Sequence, residues 1–344
     1  KLGSCLAIPL RAHRASMAPS ELASVRRVAL VLAAAAATAH SVDEGLRTGY
    51  SEQEALEFAY LSTAAYCGAP RFSRRALEAW RCGAACSHVH GMRSARQVLA
   101  DGNWADASAL VGRLRGRCVV AFRGTADRTD WLEDLKSGWH TDANLHGFNC
   151  SSGNASCRVG SGWLAVYQAI RDYVRGNLSA IGCRPGARIA FAGHSLGAAT
   201  AQLAMFDLGT QGYRVDRSYV FGSPRTGDAS WAMAFEALFG SSSLYRVNLD
   251  RDPVPHVPMR DLGFVHASTE VFYKGNTSGG FVTCDMHDKG ERCSGQYHHL
   301  SQLILGCVSR VQHCDHLRYM TARKVIPMDG ASCVNDALMT EVQV

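Results

Sequence analysis

The stretch "RIAFAGHSLGAATAQLA", Arg188–Ala204, decides how this chain folds. Ile189–Ala192 is a short apolar run suited to a buried strand, and Leu196–Leu208 is rich in helix formers. Between them stand only Gly193, His194 and Ser195, too few residues for a loop. A strand that hands over so abruptly to a helix must turn sharply. The small residues Gly193, Gly197 and Ala198 let the two elements approach closely around Ser195. The start of the helix then aims unpaired backbone N–H groups at whatever the serine hydroxyl faces.

The same alternation continues on both sides. "SEQEALEFAYLSTAAYC" (Ser51–Cys67) opens with a capping-box pattern, Ser51 followed by Glu54, and reads as a helix. "RCVVAFRGT" (Arg117–Thr125) reads as a buried strand and "SGWLAVYQAIRDYVRGNL" (Ser161–Leu178) as an amphipathic helix. Strand Arg217–Pro224, helix Ala229–Phe239 and the strands "LYRVNLD" and "STEVFY" follow. Ala69–Ala109 and Thr141–Arg158 read as Gly-, Ser- and Cys-rich surface loops. Alternating strands and helices predict an α/β fold: a mostly parallel central sheet, helices on both faces, in a single domain.

Composition is ordinary for a globular chain: 344 residues, 47% hydrophobic and 19% charged. Residues 1–39 read as upstream sequence followed by a signal peptide that starts at Met17. Arg26 and Arg27 precede an apolar run, Val28–Ala37, and Ala37-Thr38-Ala39 predicts cleavage after Ala39. That run is about ten residues, too short for a membrane span. Cleavage removes five basic residues and one acidic residue and brings the net charge from +6 to +2, which excludes an electrostatic case for nucleic acid. It also removes Cys5 and leaves twelve cysteines in residues 40–344, an even number suited to disulfides in an exported chain. Close pairs are Cys82/Cys86, Cys150/Cys157, Cys284/Cys293 and Cys307/Cys314. A rival reading puts zinc at Cys82, Cys86, His88 and His90. Glycosylation sequons stand at Asn149, Asn154, Asn177 and Asn276. The expected location is outside the cell, or the lumen of the secretory pathway.

"GHSLG" (Gly193–Gly197), with a strand before it and a helix after it, is the G-x-S-x-G nucleophile elbow of α/β-hydrolases. A serine hydroxyl needs a base to take its proton and a carboxylate to orient that base. In this architecture the chain order is Ser, then acid, then His. Downstream acid candidates include Asp207, Asp216, Asp228, Asp250, Asp252 and Asp261; Asp252 is favoured because it follows a predicted strand and precedes Pro253, with Asp250 as its rival. Histidines beyond it are His256, His266, His287, His298, His299, His313 and His316, and spacing does not choose among them.

Several segments in order resemble the fungal-type class 3 lipases: "VVAFRGT" with "DWLEDL", "GHSLGAA", "YVFGSPRTGD", "DPVPHVP", "FVHASTEVFY" and "DHLRYM", together from about Tyr50 to Met320. The resemblance implies Ser195 as nucleophile, Asp252 as acid and His316 as base. It implies Thr125 and the Leu196 N–H as oxyanion donors. It also implies a lid in Ala126–Gly138 whose apolar face carries Trp131, Leu132 and Leu135. The implied activity is hydrolysis of acyl glycerols at an oil–water or membrane interface, with no cofactor, no metal and no protein partner. The cysteine content resembles a cysteine-rich subgroup, and the Cys/His-rich insert Gly275–Cys307 bears on substrate preference. Alternatives on the same fold are a feruloyl-type esterase, a phospholipid or galactolipid esterase, and an inactive lipid-binding relative.

Overall fold

The computed structural model describes residues 49–333, apart from 69, 101–106, 126–139, 144–146, 149, 151–155, 276–279, 286–291, 298, 310–313 and 322–323. The signal segment, the lid stretch with Trp131, Leu132 and Leu135, the sequons at Asn149, Asn154 and Asn276, and His287, His298 and His313 lie outside the described residues.

Ser51 caps helix α1 (Glu52–Ala64), its hydroxyl accepting the Glu54 N–H at 3.2 Å, as the capping-box pattern predicts. The chain continues through α2 (Arg74–Glu78), α3 (Ala84–Ser87), β1 (Met92–Leu99), β2 (Ser108–Leu114), β3 (Arg117–Phe122), β4 (His140–Asp142) and β5 (Arg158–Gly160). Next come α4 (Ser161–Ala180), β6 (Arg188–His194), α5 (Leu196–Thr210), β7 (Arg214–Val215), β8 (Ser218–Phe221), β9 (Gly227–Asp228), α6 (Ala229–Phe239) and β10 (Leu244–Leu249). β11 (Phe264–Val265), β12 (Thr269–Tyr273), β13 (Val282–Cys284), α7 (Leu300–Ser309), β14 (Arg318–Thr321) and β15 (Lys324–Pro327) complete the order.

The main sheet runs β1-β2-β3-β6-β8-β10-β12-β13, with the short β7 beside the start of β6. Its centre, β3 to β12, is parallel, and the flanking pairs β1/β2, β2/β3 and β12/β13 are antiparallel. Such a sheet must be covered on both faces. Val120, Phe122, Ile189 and Phe191 pack into one core with Trp163 and Ile170 of α4 and Leu203 of α5. Val119, Ala121, Ala190 and Ala192 point the other way, into a second core with Phe58 and Leu61 of α1 and Tyr319 and Ile326 of the last hairpin. This two-sided burial explains why the central strands read as unbroken apolar runs. A small second sheet, β11-β9-β5-β4, lies apart from the main one.

One expectation fails in Ala69–Ala109, which is not a loop: it holds α2, α3, all of β1 and the start of β2. The alternation in "MRSARQVL" is broken by a bulge between Arg93 and Arg96, with Ser94 at φ 53°, so the strand's period is not visible in the sequence. Part of the Gly275–Cys307 insert is also ordered structure, since β13 adds an edge strand and is tied back by the Cys284–Cys293 bridge.

All twelve cysteines of residues 40–344 are paired: Cys67–Cys333, Cys82–Cys86, Cys118–Cys183, Cys150–Cys157, Cys284–Cys293 and Cys307–Cys314. The zinc reading falls with the Cys82–Cys86 bridge, and His88 instead stacks on Tyr60 with ring centroids 4.2 Å apart. Among the described residues no group of His, Cys, Asp and Glu could hold a metal ion. Among them, too, no helix is long and apolar enough to cross a membrane.

Candidate active site

Parallel strands of matched register end together, and their C-terminal edge is where this architecture exposes side chains. Gly193 of β6 stands beside Phe122 of β3 and Val220 of β8, and Phe221 stands beside Val247 of β10. Ser195 follows immediately, with φ 58° and ψ −129°, between β6 and α5. That conformation is strained for a residue with a side chain. Its N–H donates to Phe221 O at 3.0 Å, which fixes the turn to the neighbouring strand. The flanking glycines are sterically required. A Cβ on Gly193 would lie 2.3 Å from Gly197 O, and one on Gly197 would lie 2.3 Å from Phe122 O.

Beyond β10 the chain enters the acid loop. Asp252 is buried, its N–H donating to Leu249 O at 2.9 Å and its Oδ1 accepting the Val254 N–H at 2.8 Å. Its Oδ2 faces His316 Nδ1 at 3.0 Å and accepts the Tyr319 hydroxyl. His316 Nε2 faces Ser195 Oγ at 2.8 Å. Ser195, Asp252 and His316 are all shielded from solvent. Burial pushes the Asp252 carboxyl up. The imidazole of His316, the Tyr319 hydroxyl and the Val254 N–H more than offset this and hold it below the usual carboxylate range.

The other acids are engaged elsewhere. Asp207 is buried in α5 under Arg171, Arg175 and the Tyr167 hydroxyl. Asp216 pairs with Arg117 and Arg188, and Asp228 caps α6 through the Trp231 N–H. Asp250 accepts the hydroxyl of Tyr297, which comes from the insert, and Asp261 lies in an exposed turn. His266 is half-buried with Nε2 at 2.8 Å from Pro255 O, and His299 is exposed.

Thr125 stands just past the end of β3. The loop before it abuts the serine, because a Cβ at Gly124 would lie 3.2 Å from Ser195 Cβ. Leu196 is the first residue of α5, so its N–H has no partner within the helix. Sequence reasoning missed Tyr66 and His194. Tyr66 Oη accepts the Gly124 N–H at 3.1 Å and lies 3.0 Å from His194 Nδ1. Nothing in the sequence marked Tyr66; His194 was visible only as the variable position of the elbow.

Residues 119–262 match the family described as Lipase (class 3), a span that includes Ser195 and Asp252 and ends before His316. A secreted mono- and diacylglycerol lipase A of Penicillium camembertii is 31% identical over 169 residues, covering 49% of this chain and 52% of that protein. The chain thus spans about half the length of that relative. A secreted mono- and diacylglycerol lipase 1 of Fusarium solani is 26% identical over 261 residues, 72% of this chain and 74% of its own. The crystal structure of the Lip2 lipase from Yarrowia lipolytica superposes with a TM-score of 0.63 at 22% identity, covering 78% of this chain and 92% of that one. That likeness concerns the fold, which is the α/β-hydrolase fold. In its elbow, its sheet and these matches, the chain is similar to the fungal-type class 3 lipases.

Proposed function

We propose that this protein is an exported serine carboxylic-ester hydrolase that cleaves acyl glycerols. The observation that carries the reading is the line Ser195 Oγ, His316 Nε2, His316 Nδ1, Asp252 Oδ2, with contacts of 2.8 and 3.0 Å on a strained elbow. A carboxylate at Nδ1 keeps the hydrogen there and leaves the Nε2 lone pair to accept the serine proton. Ser195 Oγ then attacks the ester carbonyl as its proton moves to His316. The Thr125 and Leu196 N–H groups hold the oxyanion, each donor worth about 3–4 kcal/mol. Collapse expels the glycerol oxygen, which takes the proton from His316. Water attacks the acyl-enzyme by the same steps and releases the fatty acid.

The names of the two secreted relatives support both export and the acyl-glycerol substrate. In this reading Ala126–Gly138 is a lid, and the substrate is met at a lipid–water interface. Initial rates on a long-chain diacylglycerol emulsion, a phospholipid and a feruloyl ester, measured in parallel, test the substrate class. The acyl glycerol should be turned over at least tenfold faster than the others. A preference for the phospholipid or the feruloyl ester would reassign the substrate while keeping the mechanism.

A further inference from the structure

A second histidine backs the first. His194 ends β6 and is buried, its ring centroid 4.5 Å from that of His316. Its Nε2 lies 2.8 Å from the main-chain oxygen of His316. A carbonyl oxygen only accepts, so Nε2 carries the ring hydrogen. Burial, and then repulsion from His316, push the His194 pKa down to about 3, so the ring is neutral. Nδ1 is therefore an acceptor, and its partner at 3.0 Å, the Tyr66 hydroxyl, must donate to it. That spends the one hydrogen of Tyr66 and leaves its oxygen to accept the Gly124 N–H. Each link has one direction: Gly124 N–H to Tyr66, Tyr66 O–H to His194 Nδ1, His194 Nε2–H to His316 O.

The two ends of this chain have different jobs. Gly124 immediately precedes Thr125, on the loop that presents the oxyanion donor, and His316 is the base. Tyr66 belongs to neither element. It sits just beyond α1, beside the Cys67–Cys333 bridge, which anchors it to the last described stretch of the chain. A buried hydroxyl and imidazole with no unpaired atom between them form a rigid connection, since breaking any link strands a buried polar group.

We propose that Tyr66 and His194 are positioning residues that join the oxyanion loop to the main chain of the base, so that both groups hold one fixed spacing around Ser195. The proposal rests on the hydrolase reading above and adds to it two residues that touch no substrate.

Tyr66→Phe tests it, because it removes one hydroxyl and keeps the ring. Rates are measured on a soluble p-nitrophenyl ester and expressed per active site, with sites counted by fluorophosphonate labelling. The expected result is a kcat lowered roughly 10- to 100-fold with KM unchanged within about twofold, the pattern of an interaction made only in the transition state. Affinity for a boronic acid that mimics the tetrahedral state should weaken in step with kcat/KM. His194→Gln keeps a donor near the Nε2 position and should recover part of the activity lost in His194→Ala. If Tyr66→Phe keeps its rate per labelled site, or if its whole loss appears as fewer labelled sites, the positioning role is overturned. A wild-type protein that labels and hydrolyses normally beside such a variant leaves the hydrolase reading standing. A wild-type protein that does neither overturns both.

Discussion

The Tyr319 hydroxyl and the His316 Nδ1 converge on the same oxygen of Asp252, Oδ2, while Oδ1 is held by the Val254 N–H. The carboxylate is thus fixed in direction before the imidazole reads it. Tyr319→Phe should leave Asp252 with one donor fewer and raise its carboxyl pKa, since that hydroxyl is one of the groups holding it down. The expected cost is about 1–3 kcal/mol of stability, with a several-fold drop in kcat. Urea unfolding and steady-state kinetics of the variant measure both; an unchanged midpoint and rate would show the contact to be idle.

The Cys67–Cys333 bridge closes a loop of 266 residues, the longest of the six. On the chain-entropy account a loop of that size contributes on the order of 5 kcal/mol. It also anchors the turn just beyond α1 that carries Tyr66. The Cys67→Ser/Cys333→Ser variant should therefore lose both thermal stability and activity. Replacing Cys82 and Cys86, whose loop spans four residues, should cost far less. Thermal scans of the two variants decide the order, and equal losses would count against the long-loop argument.

Three desolvated histidines, His194, His256 and His266, make the fold acid-sensitive. Burial pushes His194 down to about 3 and His256 to about 4, and holds His266 well below its usual value. In the unfolded chain these three histidines take up protons near pH 6.5 and in the native chain they do not, so their contribution lowers stability as pH drops below 6.5. At pH 5 His194 and His256 each account for about 2 kcal/mol, and His266 acts in the same direction. Asp315 acts in the opposite sense, because burial raises its carboxyl to about 6 and its ionisation disfavours the fold. One group against three does not reverse the trend. Calorimetry between pH 7 and pH 5 should show a falling Tm, flattened in His256→Gln; a flat wild-type curve would contradict the assignment.

The lid reading gives a kinetic expectation. Trp131, Leu132 and Leu135 fall on one face of a helix drawn through Ala126–Gly138. Exposing each costs roughly 1.5–3 kcal/mol in water, a cost removed when a lipid surface receives the same face. Hydrolysis of a short-chain triglyceride should rise sharply at the substrate's solubility limit. Smooth saturation through that limit would remove the lid.

The central elements were legible because burial writes itself into sequence. Val119–Phe122 and Ile189–Ala192 are apolar throughout since both sheet faces are covered. Strand β1 was hidden because its bulge breaks the period of two. Local cysteine pairs such as Cys284–Cys293 could be guessed from spacing, whereas Cys67–Cys333 and Cys118–Cys183 depend on the tertiary fold. Spacing left the choice among seven histidines open; only the fold brings His316, 121 residues on, within 2.8 Å of Ser195. Tyr66 and His194 escaped because a hydroxyl and an imidazole become a relay only once three distant segments meet.

In the proposed mechanism Ser195 is a nucleophile activated by His316, which Asp252 orients. Incubation with a fluorophosphonate, followed by peptide mass spectrometry, addresses it most directly. The expected result is one stoichiometric adduct on Ser195, loss of labelling in Ser195→Ala and His316→Ala, and ester hydrolysis lowered in Ser195→Ala by around a million-fold, as for a comparable triad. A protein that hydrolyses esters without an adduct on Ser195, or a Ser195→Ala variant near the wild-type rate, would contradict it.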